Sequence, residues 1–266
     1  MKKFLVSYSW LILLFLYFPM MVLMVYSFND SRINAEWEGF TLHWYTDLFQ
    51  KQDVIDAFVN SITIAVITTI VTTVLGVFFA IALHRYKYRF EGAINGLVYL
   101  PILIPDILMG LSLLILFSQL GMELGQTTII IAHITFSISF VIVILAARLS
   151  SMGRDLEEAA NDLGATPWQT FRFVTFPAIA PGVISAALLT FTLSIDDFVI
   201  SFFVSGPGST TLPLYIYSMV KRGVSPEINA LSTILIVAIV GLMVLSEIFR
   251  NKGADGEENS GGHLPL

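Results

Sequence analysis

Three carboxylates stand in stretches where water is scarce. Asp106 lies in the apolar run 93–118, and Asp196 and Asp197 lie in the run 178–204. An ionised Asp at the centre of a membrane helix costs about 2.5–3.5 kcal/mol on insertion scales, so these acids are expected to face water, a partner or a ligand. Carboxylates in such a setting hold a passing cation, relay protons in an ion-coupled transporter, or, as a pair on separate spans, cut a peptide. The last chemistry has little support, since no Gly-x-Gly-Asp element occurs at any of the three. Asp106 follows Pro105 directly and Pro101 lies one turn earlier, so the helix is expected to break there, as transporter helices do at binding sites. Asp196 and Asp197 differ by about 100° around a helix, which turns only one of them to a pathway. The competing structural reading is an acid that caps a broken helix or pairs across an interface. Trp44 and Tyr45 offer an aromatic face to a cation near the outer mouth, or else anchor the chain at the membrane interface. Trp37 and Trp168 read as packing residues. With no Cys and only four His, without a His-x3-His pair, a metal site has little support.

A second stretch is built for docking. Arg148–Pro177 is a polar island between apolar runs. Leu156, Ala159, Ala160 and Leu163 follow helical spacing, while Asp155, Glu158 and Asp162 fall on another face. Gly164 sits where a left-handed cap belongs. Thr166 as N-cap, Pro167 in the first turn and Gln169 in a capping box start a second helix, whose far end Pro177 is expected to limit.

The elements that must position these residues are membrane helices. The chain of 266 residues is 56% hydrophobic and 13% charged, about half the charge of a soluble domain, with a mean hydropathy of +0.79. Phe4–Asn29 and Ala57–Leu83 contain no charged residue, and each is longer than the roughly 30 Å hydrocarbon core requires. The pattern predicts an all-α, polytopic protein with six spans, about 5–28, 57–83, 93–118, 127–147, 178–204 and 228–249. The first is expected to be an uncleaved signal anchor. The Gly-rich, acidic tail 251–266 is expected to be disordered. Ten Lys and Arg fall on the side of the termini and of Arg148–Pro177, against Arg32, Lys51, Lys221 and Arg222 on the other. The positive-inside rule therefore places both termini and that loop in the cytoplasm. The outer segment 29–56 carries six acids, which would concentrate cations.

Glu158-Ala159-Ala160, three residues, Gly164, nine residues, Val174, then Phe176-Pro177 resembles the EAA loop of ABC-importer permeases. The family pattern has Ile and Leu where Val174 and Phe176 stand. The resemblance extends over nearly the whole chain. Ser27-Phe28-Asn29, the run 39–45, Pro105-Asp106-Ile107, the run 194–198 and the run 216–230 look like the C-type permease of spermidine/putrescine importers. That resemblance implies a bacterial inner-membrane permease paired with a second, similar permease, two cytoplasmic ATPase subunits that bind ATP-Mg, and a periplasmic binding protein. It implies that Glu158, Ala159, Ala160 and Gly164 couple to the ATPase. The chain has no Gly-x4-Gly-Lys-Ser/Thr phosphate loop of its own and is expected to carry no cofactor. A polyamine suits Asp106, Asp196 and Asp197, because spaced ammonium groups need several carboxylates and methylenes need apolar walls. A permease for another small cation is the nearest alternative. The acids alone would also fit an ion-coupled transporter, which leaves the loop spacing without a purpose.

Overall fold

Backbone polar groups in a bilayer have no water to bind and must bond within their own segment, which favours helices. The computed structural model describes residues 2–31, 36–86, 89–223, 226–238 and 240–241. Its helices are α1 (Lys2–Tyr26), α2 (His43–Gln50), α3 (Gln52–Arg85), α4 (Glu91–Leu103), α5 (Asp106–Gln119), α6 (Gln126–Met152), α7 (Asp155–Asp162), α8 (Pro167–Thr170), α9 (Phe176–Asp196), α10 (Val199–Val204), α11 (Leu212–Arg222) and α12 (Pro226–Ala238). Extended pairing among the described residues is limited to one bridge, Asn29 with Phe40.

Four stretches are long and apolar enough to cross a membrane: Lys3–Tyr26, Gln52–Arg85, Gln126–Met152 and Pro167–Asp196. The expected break in the third span is real. α4 and α5 meet at 108°, and the pair counts as a fifth crossing if taken as one broken span. The expected count of six is not reached among the described residues. α12 covers the first half of the sixth run and residues 240–241 are helical as well, while 239, 242–249 and the tail 251–266 lie outside them.

Two expectations are corrected. Pro177 does not end the second loop helix, because the helical path runs unbroken from Pro167 to Asp196. A π-turn over Phe171–Thr175 absorbs the proline. There the Phe176 N–H bonds back to the Phe171 carbonyl, and Pro177, without an N–H, falls in the first turn of α9. The fifth span is also not one helix to Val204. It stops at Asp196, unwinds at Asp197 (φ −63°, ψ 120°) and restarts as α10.

The chain divides into two compact units, residues 1–52 with 216–266, and residues 53–215. In the first, none of the apolar window of α1 is buried within the chain, which leaves it to lipid or a partner. The segment after α1 is knotted around buried Asn29. Its Oδ1 accepts from the Glu38 N–H (2.9 Å), its Nδ2 donates to the Glu36 carbonyl (2.7 Å), and its carbonyl accepts from the Trp44 indole (2.8 Å). Lys51 pairs with Glu227 at 2.5 Å.

In the second unit α3, α6 and α9 form the core. Val77, Ala80, Val141, Leu145, Leu149, Ile179 and Ala186 pack together toward the loop end. Ile64, Leu113, Phe117, Ile129, Phe136, Ile200 and Val204 join α3, α5, α6 and α10 in a second cluster. The connection after α10 is pinned at many points. Asn60 donates to the carbonyls of Gly208 (3.0 Å) and Thr210 (3.1 Å), Thr128 donates to the Val204 carbonyl (2.7 Å), and Leu212 N–H donates to Ser61 (2.7 Å). At Gly206 the pinned backbone approaches so closely that a Cβ would lie 1.9 Å from the Leu124 carbonyl oxygen. Gly206→Ala is therefore expected to cost about 1–3 kcal/mol through forced backbone displacement. Thermal unfolding in detergent measures it, and an unchanged midpoint would show that the turn yields freely.

Candidate functional site

The two helix breaks bring the acids together. Ile104 precedes a proline and is extended (φ −75°, ψ 132°), as such residues prefer. Pro105 continues that extended path and Asp106 opens α5. Asp196 is the last residue of α9. Asp106, Asp196 and Asp197 line one cavity of 420 Å³, whose walls include Pro101, Phe136, Phe140 and Phe198. The side chains of Asp106 and Asp196 are exposed, whereas that of Asp197 is only 9% exposed.

The helix ends make these carboxylates unequal. The free N–H groups of a first turn carry partial positive charge and offset the anion at Asp106. The free carbonyls of a last turn carry partial negative charge and reinforce the anion at Asp196. Asp197 is occupied by the fold. Its Oδ2 accepts from the Ser201 N–H (2.7 Å) and from His133 Nε2 (3.2 Å), and its Oδ1 lies 3.3 Å from the Ile200 N–H. Asp196 and Asp197 therefore do not share a helical wheel, since Asp197 is not helical. Its carboxylate caps the first turn of α10 instead.

His133 is fully buried on α6. Its Nδ1 lies 2.7 Å from the Ser194 hydroxyl, and its Nε2 also lies 3.1 Å from the Ser201 hydroxyl. Because a capped carboxylate accepts, bonding logic assigns the proton to Nε2 and leaves Nδ1 to accept from Ser194. Sequence reasoning passed over His133, Ser194 and Ser201. The available signal was that His133 is the one ionisable side chain in the apolar run 127–147.

Trp44 and Tyr45 are not among the residues lining this cavity and belong to the other unit. Trp44 is buried with its indole N–H committed to Asn29. Tyr45 places its hydroxyl 2.6 Å from that of Ser27 and its ring against Phe28. In this chain both side chains are packing residues of the knot around Asn29, rather than an open aromatic face.

The second site is the loop. α7 ends in a left-handed turn at Gly164 (φ +83°). Gly164 N–H bonds the Asn161 carbonyl (2.9 Å) and Ala165 N–H bonds the Ala160 carbonyl (3.0 Å), a Schellman cap. The expected capping box of α8 is formed, with Thr166 N–H on Gln169 Oε1 (2.8 Å) and Gln169 N–H on Thr166 Oγ1 (3.4 Å). Adjacent glutamates take opposite directions. Glu157 turns inward to Arg85, at the end of α3, and accepts from the Thr175 hydroxyl at 2.6 Å. Arg85 also donates to Thr175 (2.7 Å), and Arg154 donates to the His84 carbonyl (3.0 Å). Glu158 and Ala159 are exposed and Ala160 is half-buried. Around them Leu163 (90% exposed), Trp168 (62%) and Phe173 (69%) stand bare, so Trp168 is not an internal packing residue. An anchored inner side and an uncovered apolar outer side suit a surface that another protein covers.

The chain resembles known proteins along most of its length. Residues 72–251 match the family described as binding-protein-dependent transport system inner membrane component. The chain is 41% identical to the spermidine/putrescine transport system permease protein PotC of Haemophilus influenzae over 246 residues, 92% of this chain and 96% of that protein. It is 44% identical to the putrescine transport system permease protein PotI of Escherichia coli K12 over 240 residues, 86% of this chain and 85% of that one. Among solved structures, a bacterial ABC transporter involved in the import of the acidic polysaccharide alginate superposes with a TM-score of 0.70 at 16% identity, covering 94% of this chain and 96% of that chain. The extent and identity of these matches establish it: the chain belongs to the family of inner membrane components of binding-protein-dependent transport systems.

Proposed function

We propose that the chain forms half of the pathway by which an ATP-driven importer admits spermidine or putrescine. The observation that carries this reading is the convergence of Asp106, Asp196 and Asp197 on one cavity walled by Phe136, Phe140 and Phe198. A polyamine alternates ammonium groups with methylenes, so carboxylates set among aromatic rings complement it. Asp196 and Asp106 are the direct cation contacts, and Asp197 adds charge from the wall. The likeness to polyamine permeases of both kinds supports the substrate class.

In this reading a second, similar permease supplies the other half of the pathway, and a periplasmic binding protein delivers the polyamine. Two cytoplasmic ATPase subunits bind ATP-Mg and seat against Glu158, Ala159, Ala160 and the turn at Gly164. The excess of Lys and Arg on that side supports a cytoplasmic position for the loop and both termini. The test is uptake of radiolabelled spermidine and putrescine by proteoliposomes that hold the complete importer and its binding protein. Uptake that requires ATP hydrolysis and persists without an ion gradient is the expected result. Uptake driven by an ion gradient without ATP, or none of either polyamine, would discard the proposal.

A further inference from the structure

The α9–α10 break is a joint of two residues, Asp197 and Phe198, set between helices that end and begin beside the cavity. At such a break the helical ladder no longer aligns the two helices, so contacts made across the joint set the direction of the acid just before it. The partners of His133 lie on both sides of that joint. Ser194 is in the last turn of α9, Asp197 is in the joint, and Ser201 is in the first turn of α10. One planar ring, with its two nitrogens at a fixed separation, therefore bridges both helices from a third.

We propose that His133 is a positioning residue that sets the spacing of the cation-binding acids and so tunes which polyamine passes. The inference rests on the polyamine reading above. His133 contacts no cargo, since it is buried and not among the cavity-lining residues. From α6 it ties down both the end of α9, through Ser194, and the joint itself, through Asp197, which fixes where Asp196 stands. α10 packs in turn with α5, whose first residue is Asp106, through Ile200, Val204, Leu113 and Phe117. The separation of the Asp196 and Asp106 carboxylates is thus referred to one ring. Spermidine and putrescine differ in the number and spacing of their ammonium groups, so a loosened separation affects them unequally. A histidine that merely fills the core would, when replaced, lower both uptake rates alike.

The complete importer is reconstituted with saturating binding protein, and the ratio of spermidine to putrescine uptake rates is compared between the unaltered chain and His133→Leu. Leucine fills the volume but bonds to none of the three partners. The ratio is expected to shift by about fivefold, as when the loosened site costs one cargo about one net hydrogen bond more than the other. His133→Gln, which keeps a donor for Asp197, is expected to recover part of it. An unchanged ratio in His133→Leu, whatever the absolute rates, overturns the proposal. Should that variant not assemble, Ser194→Ala becomes the decisive one. It removes only the Nδ1 partner, and an unshifted ratio there overturns the proposal equally. If the unaltered importer carries neither polyamine, the reading of the substrate fails instead.

Discussion

Asp196→Asn is expected to lower polyamine uptake by about 30-fold, and Asp106→Asn by only about fivefold. Two unit charges about 4 Å apart attract by about 4 kcal/mol at an effective dielectric constant of about 20. Residual hydration of both groups in an open cavity removes roughly half of that, and about 2 kcal/mol corresponds to about 30-fold. Asn keeps the size and removes the charge. Asp106 loses less because its helix already opposes it. The N–H groups that open α5 partly neutralise its anion, whereas the carbonyls that close α9 add to that of Asp196, a difference of about 1 kcal/mol between helix ends. Initial uptake rates in proteoliposomes with saturating binding protein measure both variants. Equal losses would show that the helix ends contribute nothing, and unimpaired rates in both would remove the acids from the pathway.

The largest effect on assembly is expected at the seat of α7. Glu157 and Arg85 are 13% and 25% exposed, and Thr175 bonds to both. Glu157→Leu leaves the Arg85 guanidinium half-buried without its counter-charge. Loss of one partner from a fully buried pair costs about 3–5 kcal/mol, and partial exposure here reduces this to about 2–3 kcal/mol. The consequence reaches function through the loop, because α7 presents Glu158 and Ala159 from a backbone that Glu157 holds. Recovery of the ATPase subunits with the permease is expected to fall at least tenfold, and uptake with it. The double variant Arg85→Leu/Glu157→Leu is expected to be less impaired than Glu157→Leu alone, since it leaves no lone charge. Additive losses would show that the two side chains act independently.

Local rules made much of this chain legible before its structure. Pro101 and Pro105 marked the α4–α5 break because proline removes a donor and constrains the residue before it. Gly164, Thr166 and Gln169 marked the turn of the loop because caps have short-range chemistry. What local rules missed depends on contacts between helices. Pro177 reads as a stop when i−4 bonding is assumed, and the π-turn that admits it is not encoded by any one residue. Asp196 and Asp197 read as neighbours on a wheel, although the wheel ends between them. The partner that takes Asp197 out of the helix, His133, is 64 residues away in sequence. Trp44 followed a statistical preference for interfaces, whereas its indole answers to a carbonyl made available by the fold of Asn29. Glu157 is indistinguishable from its exposed neighbour in the sequence, because Arg85 and Thr175 reach it only through the fold.

The length of α3 has a mechanical consequence. Its 34 residues rise about 51 Å, against a hydrocarbon thickness of about 30 Å. Fitting all of it within the oil would need a tilt of about 54°, beyond the 0–40° that membrane helices adopt. Part of it must overhang, and polar Gln52 and Asp53 at one end and His84 and Arg85 at the other are the residues suited to do so. The seat of α7 is thus carried on a mast whose height is fixed by the peptide rise and not by the lipid. A bilayer a few ångströms thicker or thinner slides along that mast without shifting Arg85 against Glu157. The exposed face of the loop is thereby insulated from hydrophobic mismatch.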